Sequence, residues 1–256
     1  MGARAISSAL RLGAGLFAAT ALLAPLAQAG GLEVEPVVVY LSAFKTNEVV
    51  NIRNTSDDSA RYQVTLTSWT QGTDGAIQTE PSKDLMVFPE LFKLKRGAAR
   101  NLRIGVKATQ FGEVEKTYRI FITELPPPPK AGVQGVRVLT RLGIPVFLSP
   151  TIGPGAQGLV AGLAVQGPQV RFALTNKGNA HFKPLRVTLQ ARGADSVVLA
   201  EKKWAGWYVL AGGERVFEEA LRPEVCGNVR FLQVSLEQEG STTETDLATP
   251  QGACAR

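Results

Sequence analysis

One histidine and two cysteines stand among the 256 residues. His181 alone cannot furnish a conventional acid–base site, and no nucleophile elbow, paired-acid motif or phosphate loop accompanies it. No enzyme is expected. A zinc site needs about four ligands, and His181 is far in sequence from Cys226 and Cys254, so no metal and no cofactor is expected either. After residue 29 the chain also lacks convincing helical periodicity, and no later run is long and apolar enough to span a bilayer. The formal charge is only +6, with basic residues scattered among strand-like segments. A nucleic-acid partner is therefore not expected. A basic surface facing an acidic or carboxylate-bearing partner stays open.

What is present begins with a leader. Arg4 and Arg11 precede an apolar run from Leu12 to Leu26, and Ala27-Gln28-Ala29 supplies the small-x-small pattern of a signal-peptidase site. Residues 1–29 are expected to be a cleaved signal peptide. The alternative, a single membrane anchor, fits worse because the run is diluted by Gly and Ala and broken by Pro25. Removing Arg4 and Arg11 lowers the charge from +6 to +4 and leaves about 227 residues. That is room for one large or two ordinary domains. In an oxidising compartment Cys226 and Cys254 are expected to form a disulfide. Closing that loop stabilises the C-terminal region by ~3–4 kcal/mol in the chain-entropy picture.

Strand-like runs with turn signals fill the rest. Leu32 to Leu41, Glu48 to Arg53, Tyr62 to Leu66, Leu85 to Phe88, Ala99 to Val106 and Thr117 to Leu125 follow one another. Asn54-Thr55-Ser56-Asp57, Gln71 to Gly75 and Lys95-Arg96-Gly97 are the turns between them. About seven such strands at this spacing predict an immunoglobulin-like β-sandwich. Prolines 126–129 shape a long hairpin loop, because a strand from Val136 to Phe147 is needed to finish the sheet. Periodicity is lost near Pro150. Residues 30–149 and 150–256 are expected to be two all-β domains. The second carries strands at Leu159–Val165, Gln169–Thr175, Leu185–Ala191, Val197–Ala200, Trp204–Leu210, Val216–Ala220, Phe231–Leu236 and Thr242–Ala248.

Two stretches carry the most information. Residues 115–127 and 136–150 both alternate with a two-residue period. In the second, Val136, Val138, Thr140 and Leu142 share one face. If this segment lies at a sheet edge, it can lend backbone hydrogen bonds and side chains to another protein. The competing expectation is that the same face packs in the protein's own core. Each apolar residue of the row is worth ~1.5–3 kcal/mol if fully covered by a partner.

Ile52-Arg53-Asn54-Thr55-Ser56, Phe88-Pro89 with Arg100-Asn101-Leu102-Arg103-Ile104, Glu115 through Pro127, and Ile144-Pro145-Val146-Phe147 occur in order after the leader. Together they resemble the periplasmic pilus chaperones of the chaperone–usher pathway. The resemblance implies two immunoglobulin-like domains in an L shape with a cleft between them. It also implies donor-strand complementation, in which Val136, Val138, Thr140 and Leu142 fill the groove of a subunit lacking its last strand. The implied partners are pilus or fimbrial subunits and an outer-membrane usher, with self-association when client-free. The implied compartment is the periplasm.

The pattern departs from the family at its carboxylate anchors, where Val37 and Pro145 replace the usual Arg and Lys. Arg141 and Arg119 are the candidate replacements, since guanidinium holds a carboxylate by two parallel hydrogen bonds. Arg100 and Arg103 are expected to be solvated charges. By resemblance Glu115 joins a salt bridge that orients the domains, but its arginine partner aligns with Ser149. Pairing with a nearby Lys or Arg, or plain solvent exposure, is expected instead. Asn176, Asn179 and Lys183 would line the cleft, with turn formation the plainer role of the asparagines. His181 is expected at the surface or hinge, and Trp69, Trp204 and Trp207 in packing. A second reading, from a different class, is a structural fibre component or adhesin with the same two domains.

Overall fold

The computed structural model describes residues 31–107, 111–128 and 138–249. The leader, Val136 and Cys254 lie outside the described residues. The first half contains ten strands. They are β1 (Leu32–Glu35), β2 (Val39–Leu41), β3 (Asn47–Asn54), β4 (Ala60–Gln71) and β5 (Ile77–Pro81). After these come β6 (Leu85–Phe88), β7 (Leu91–Leu94), β8 (Ala99–Val106), β9 (Lys116–Leu125) and β10 (Arg141–Leu148). One sheet runs β1-β3-β8-β6, and the other runs β2-β10-β9-β4-β5 with β7 also paired to β4.

The second half contains β11 (Gly158–Gln166), β12 (Gln169–Asn176), β13 (Arg186–Arg192), β14 (Val198–Ala205) and β15 (Glu214–Ala220). A single helical turn, α1 (Pro223–Cys226), then leads to β16 (Phe231–Gln238) and β17 (Ser241–Ala248). Its sheets run β11-β12-β15 and β14-β13-β16-β17. The all-β, two-sandwich architecture agrees with the expectation.

Alternation builds the cores. Along β4, Ala60, Tyr62 and Val64 are buried while Arg61, Gln63 and Thr65 are exposed, so one face of the sheet is apolar. Val50, Ile52, Leu102, Ile104, Ile120, Ile122, Ile144 and Val146 complete the first core. Val170, Phe172, Val187, Leu189, Leu232, Val234 and Leu236 anchor the second. Cys226 is buried there and carries a disulfide. Its pairing with Cys254 is a proposal.

Three expected elements differ. The run Leu32–Leu41 is two strands in two sheets, β1 beside β3 and β2 beside β10. Pro36 sits between them, and a residue without an N–H cannot continue a ladder. Val197–Ala200 and the start of Trp204–Leu210 are not separate strands but one strand, β14, which stops before Gly206, and Val209 beyond it makes an isolated bridge with Phe182. A side chain at 206 would place its Cβ 1.7 Å from the Pro184 carbonyl oxygen, so only glycine permits that close crossing. The strand expected over Val136–Phe147 begins, within the described residues, at Arg141.

Candidate functional site

β10 has two unlike ends. It pairs antiparallel with β9 along its whole length, from Arg141↔Thr123 to Leu148↔Lys116. Only Val146, Phe147 and Leu148 also pair with β2, in parallel with Val39, Tyr40 and Leu41. Among the described residues, Arg141–Pro145 therefore has a strand neighbour on one side only. The pairing continues one residue upstream, where Thr140 O accepts the Glu124 N–H at 2.8 Å. Beyond it Val138 is 86% exposed and Leu139 is exposed too.

The expected row is thus split by burial. Leu142 is half-buried against the protein's own core, so it roots the row and is not a free donor residue. Thr140 is half-buried, and Val138 stands in solvent. The row leaves the protein's own core and runs outward along an unpaired edge.

The opposite face of the same sheet carries the cations. Arg119 and Phe121 of β9 alternate with buried Ile120 and Ile122; Arg141, Gly143, Pro145 and Phe147 of β10 alternate with Leu142, Ile144 and Val146. Arg119 is only 8% exposed, and its Nε has no hydrogen-bond partner. Its guanidinium carbon lies 4.6 Å from the Trp69 ring centre and 5.9 Å from that of Trp207. Among the described residues no carboxylate forms an ion pair with it. Burial pulls its affinity for the proton below the ordinary guanidinium value, because the charged form is poorly solvated there. A buried, π-caged cation without a counter-ion is suited to an incoming carboxylate.

Arg141 is exposed and lies over Phe121, 4.1 Å from the ring centre. The two candidate anchors therefore flank Phe121 on one face. Gly143 sits between them. A Cβ there would approach Phe121 Cε1 to 2.9 Å and Arg119 Nη1 to 3.2 Å. The missing side chain is what lets Arg119 lie across β10. Arg100 is exposed on β8, in the other sheet, and so is Arg103, as expected. Val37 is exposed and Pro145 buried.

Behind Arg119 the two halves meet. Trp69, Phe147, Tyr208 and Leu210 form one buried cluster, with Val38 packed against it. Trp69 meets Tyr208 edge-on at 5.6 Å. Glu115 does not face water and, among the described residues, pairs with neither lysine nor arginine, contrary to expectation. Its side chain is 4% exposed and meets His181 Nδ1 at 2.9 Å. The His181 backbone N–H also donates to Glu115 Oε1. The expectation failed because a carboxylate facing a second domain has partners that sequence distance hides.

Asn179 belongs to this seam. It donates from Nδ2 to Glu113 O at 3.1 Å, and its carbonyl accepts the Glu115 N–H at 2.8 Å. Asn176 does not line the cleft. It is fully buried, donates to Ala180 O and Val209 O, and accepts from Gln157 and Gly178 N–H groups. It braces the turn after β12. Lys183 places Nζ 4.9 Å above the Tyr208 ring. Further on, the β4–β5 hairpin crosses to the other half, with Thr73 O accepting the Val216 N–H and Gln71 donating to Tyr208 O. Trp69 is buried, Trp204 packs on the second core, and Trp207 is partly exposed over Arg119.

Sequence reasoning named both arginines but missed Gly143 and the pairing of Glu115 with His181. The solitary histidine, lying between Asn179 and Lys183 of the expected cleft cluster, was the available signal.

Two β-sandwiches thus meet at an aromatic seam, with an unfinished strand edge beside a caged cation. Residues 31–153 match the family described as pili and flagellar-assembly chaperone, PapD N-terminal domain, a family of non-enzymatic assembly chaperones. No curated protein matches the sequence. Among solved structures, a chain of the CsuC–CsuE chaperone–tip adhesion subunit complex of Acinetobacter baumannii is 18% identical with TM-score 0.57. The match covers 84% of this chain and 97% of that one. The YadV chaperone is 13% identical with TM-score 0.55, over 85% and 99% of the two chains. The CupB2 chaperone of Pseudomonas aeruginosa is 16% identical with TM-score 0.53, over 85% and 100%. At such identities these structures speak to the fold, and the chaperone match of residues 31–153 favours the chaperone over the fibre-component reading.

Proposed function

We propose that the protein holds pilus or fimbrial subunits in the periplasm by donor-strand complementation and delivers them to an outer-membrane usher. The observation that carries this reading is the one-sided pairing of Arg141–Pro145, continued by the solvent-exposed Val138. A subunit strand laid along this edge gains backbone hydrogen bonds from β10 and buries Val136 and Val138 in its groove. Arg119 is the principal anchor for the subunit's terminal carboxylate, with Arg141 at the rim. Charge-assisted, bidentate bonds to a desolvated guanidinium fix the register of the added strand. The residues 1–29 leader directs export, and Cys226 pairs with Cys254 in the oxidising compartment. Residues 30–149 form the donor domain and 150–256 its companion. The row matches its client groove imperfectly, so the subunit's next partner displaces it. Client-free molecules cover the same edge by self-association.

Val136→Asp combined with Val138→Asp tests the reading. The doubly substituted protein should unfold at the wild-type denaturant concentration yet fail to co-purify with its cognate subunit. Undiminished recovery of the pair refutes the assigned row.

A further inference from the structure

We infer that Trp207 is a specificity-determining residue, an indole carried by the second domain that walls the Arg119 site and receives the side chain of the client's last residue, selecting apolar or aromatic ends over basic ones. The inference rests on the proposed anchoring of a terminal carboxylate at Arg119.

The wall is built before any client arrives. Two loops of the second domain, 180–185 and 206–210, are tied into one surface at three points. Phe182 and Val209 exchange both backbone hydrogen bonds, at 2.9 and 2.7 Å. Asn176 Nδ2 donates to a carbonyl on each loop, Ala180 O and Val209 O. The Gly206 N–H donates to Leu185 O at 3.0 Å, and Gly206 lacks the side chain that would strike Pro184. On this braced surface Trp207 stays 36% exposed, while Tyr208 and Val209 beside it are buried. Tyr208 meets the Trp207 ring edge-on at 5.4 Å. A fixed, half-exposed indole offers a partner much apolar area and has little freedom left to lose on contact.

Its position decides what it meets. Arg119 stands opposite Pro145 in the β9–β10 register, where the one-sided segment of β10 ends. A subunit strand laid along Arg141–Pro145 toward the anchor therefore ends abreast of Arg119. Trp69 and Trp207 both lie within cation–π range of the guanidinium, at 4.6 and 5.9 Å. Trp69 is only 1% exposed and has no open surface left for a ligand. Trp207 has. The carboxyl group and the side chain of a terminal residue branch from the same carbon, so a carboxylate held by Arg119 brings that side chain to the exposed indole. Rejection comes from charge. Lys183 Nζ stands 4.9 Å above the Tyr208 ring, which places a second cation at the border of the site. A basic last residue would add a third, and like charges brought together this way discriminate against the wrong partner.

The test uses the cognate subunit's last strand as a synthetic peptide ending in Phe, Ser or Lys, each with a free and an amidated C-terminus. Each is titrated calorimetrically into the full exported chain. Wild type should bind the Phe peptide about fivefold more tightly than the Ser peptide, with the Lys peptide weakest. Trp207→Ala should bring Phe and Ser within about twofold of each other, with the free carboxylate still preferred and thermal unfolding overlaying wild type. Trp207→Phe, which keeps an aromatic wall, should restore the order. Lys183→Gln should narrow the gap between Lys and Ser, and it reads the site independently should Trp207→Ala fail to fold. An undiminished preference for Phe in Trp207→Ala overturns the role of Trp207, as does equal binding of the three peptides by wild type. An unchanged gap in Lys183→Gln overturns the rejection by charge. Equal binding of free and amidated peptides by wild type would instead sink the Arg119 anchor, while the ranking by last side chain would still be read.

Discussion

The two ends of β10 differ in what surrounds them, although they are one strand of eight residues. At its C-terminal end, Val146, Phe147 and Leu148 are flanked by β9 and β2 and lie under two packed layers. One layer is the first core, the other the aromatic seam with the second domain. At its N-terminal end, Arg141–Pro145 leans on β9 alone, and the chain just upstream stands in water. The contrast shows how a protein can expose an aggregation-prone edge without losing its fold. The edge is anchored by a root whose burial does not depend on a partner. Arg141, exposed at the tip, adds a charge that discourages indiscriminate pairing.

Breaking the root should produce the largest effect. Phe147 is fully buried, stacks with His181 and Tyr40, and meets Trp69 and Tyr208 at a tilt. Phe147→Ala should lower unfolding free energy by about 3–5 kcal/mol, measured by denaturant titration. Client binding should fall with it. A loss below about 1 kcal/mol would mean that the seam is loosely packed and that root and tip are not distinct.

Arg119 offers a test of opposite character. Arg119→Met keeps much of the side-chain volume and removes a charge that lacks a partner. Fold stability should stay level or rise, since desolvating an unpaired charge costs more than an apolar replacement. Client affinity should nevertheless fall by about 2 kcal/mol or more, the usual consequence of deleting one member of a desolvated pair. Isothermal titration with a peptide of the subunit's last strand, with and without C-terminal amidation, separates the two terms. Equal losses for both peptides would remove Arg119 from the anchor role.

Gly143→Ala sharpens the comparison further, because it perturbs the tip without touching the root. The new methyl group meets Phe121 at 2.9 Å and the Arg119 guanidinium at 3.2 Å. Stability should drop by about 1–2 kcal/mol. The amidation difference should shrink as Arg119 is pushed aside. A wild-type amidation difference in this variant would show that Arg119 does not depend on the gap.

Period-two alternation made most of the fold legible. Tyr62, Val64, Val50, Ile52, Leu102 and Ile104 fall on buried faces because strand geometry leaves them no other choice. Local pattern failed where a single residue changed the connection, as at Pro36 and Gly206. It failed again where the two halves touch. Glu115 and His181 are 66 residues apart in sequence, and the one local hint of their meeting was the place of His181 between two expected cleft residues. Asn176 looked like an open turn residue, yet its side chain closes four backbone bonds inside the fold. Both arginines were visible as bases on or beside β10, but which of them is buried depends on Gly143 and on indoles from two domains.

The smallest expected effect belongs to Val138, and it separates tip from root most cleanly. Val138 is 86% exposed, so Val138→Ser removes almost no internal packing. Unfolding free energy should change by less than about 0.5 kcal/mol. If the residue enters a client groove, the complex should weaken by about 1–2 kcal/mol, the transfer free energy of the lost apolar surface. Thermal unfolding of the free protein should overlay wild type while the dissociation constant for the subunit rises roughly tenfold. An unchanged dissociation constant would place Val138 outside the interface and shift the donor row inward, toward Thr140 and Leu142. There the edge is already half-covered by the protein's own core, and any complementation would have to rest on backbone pairing alone.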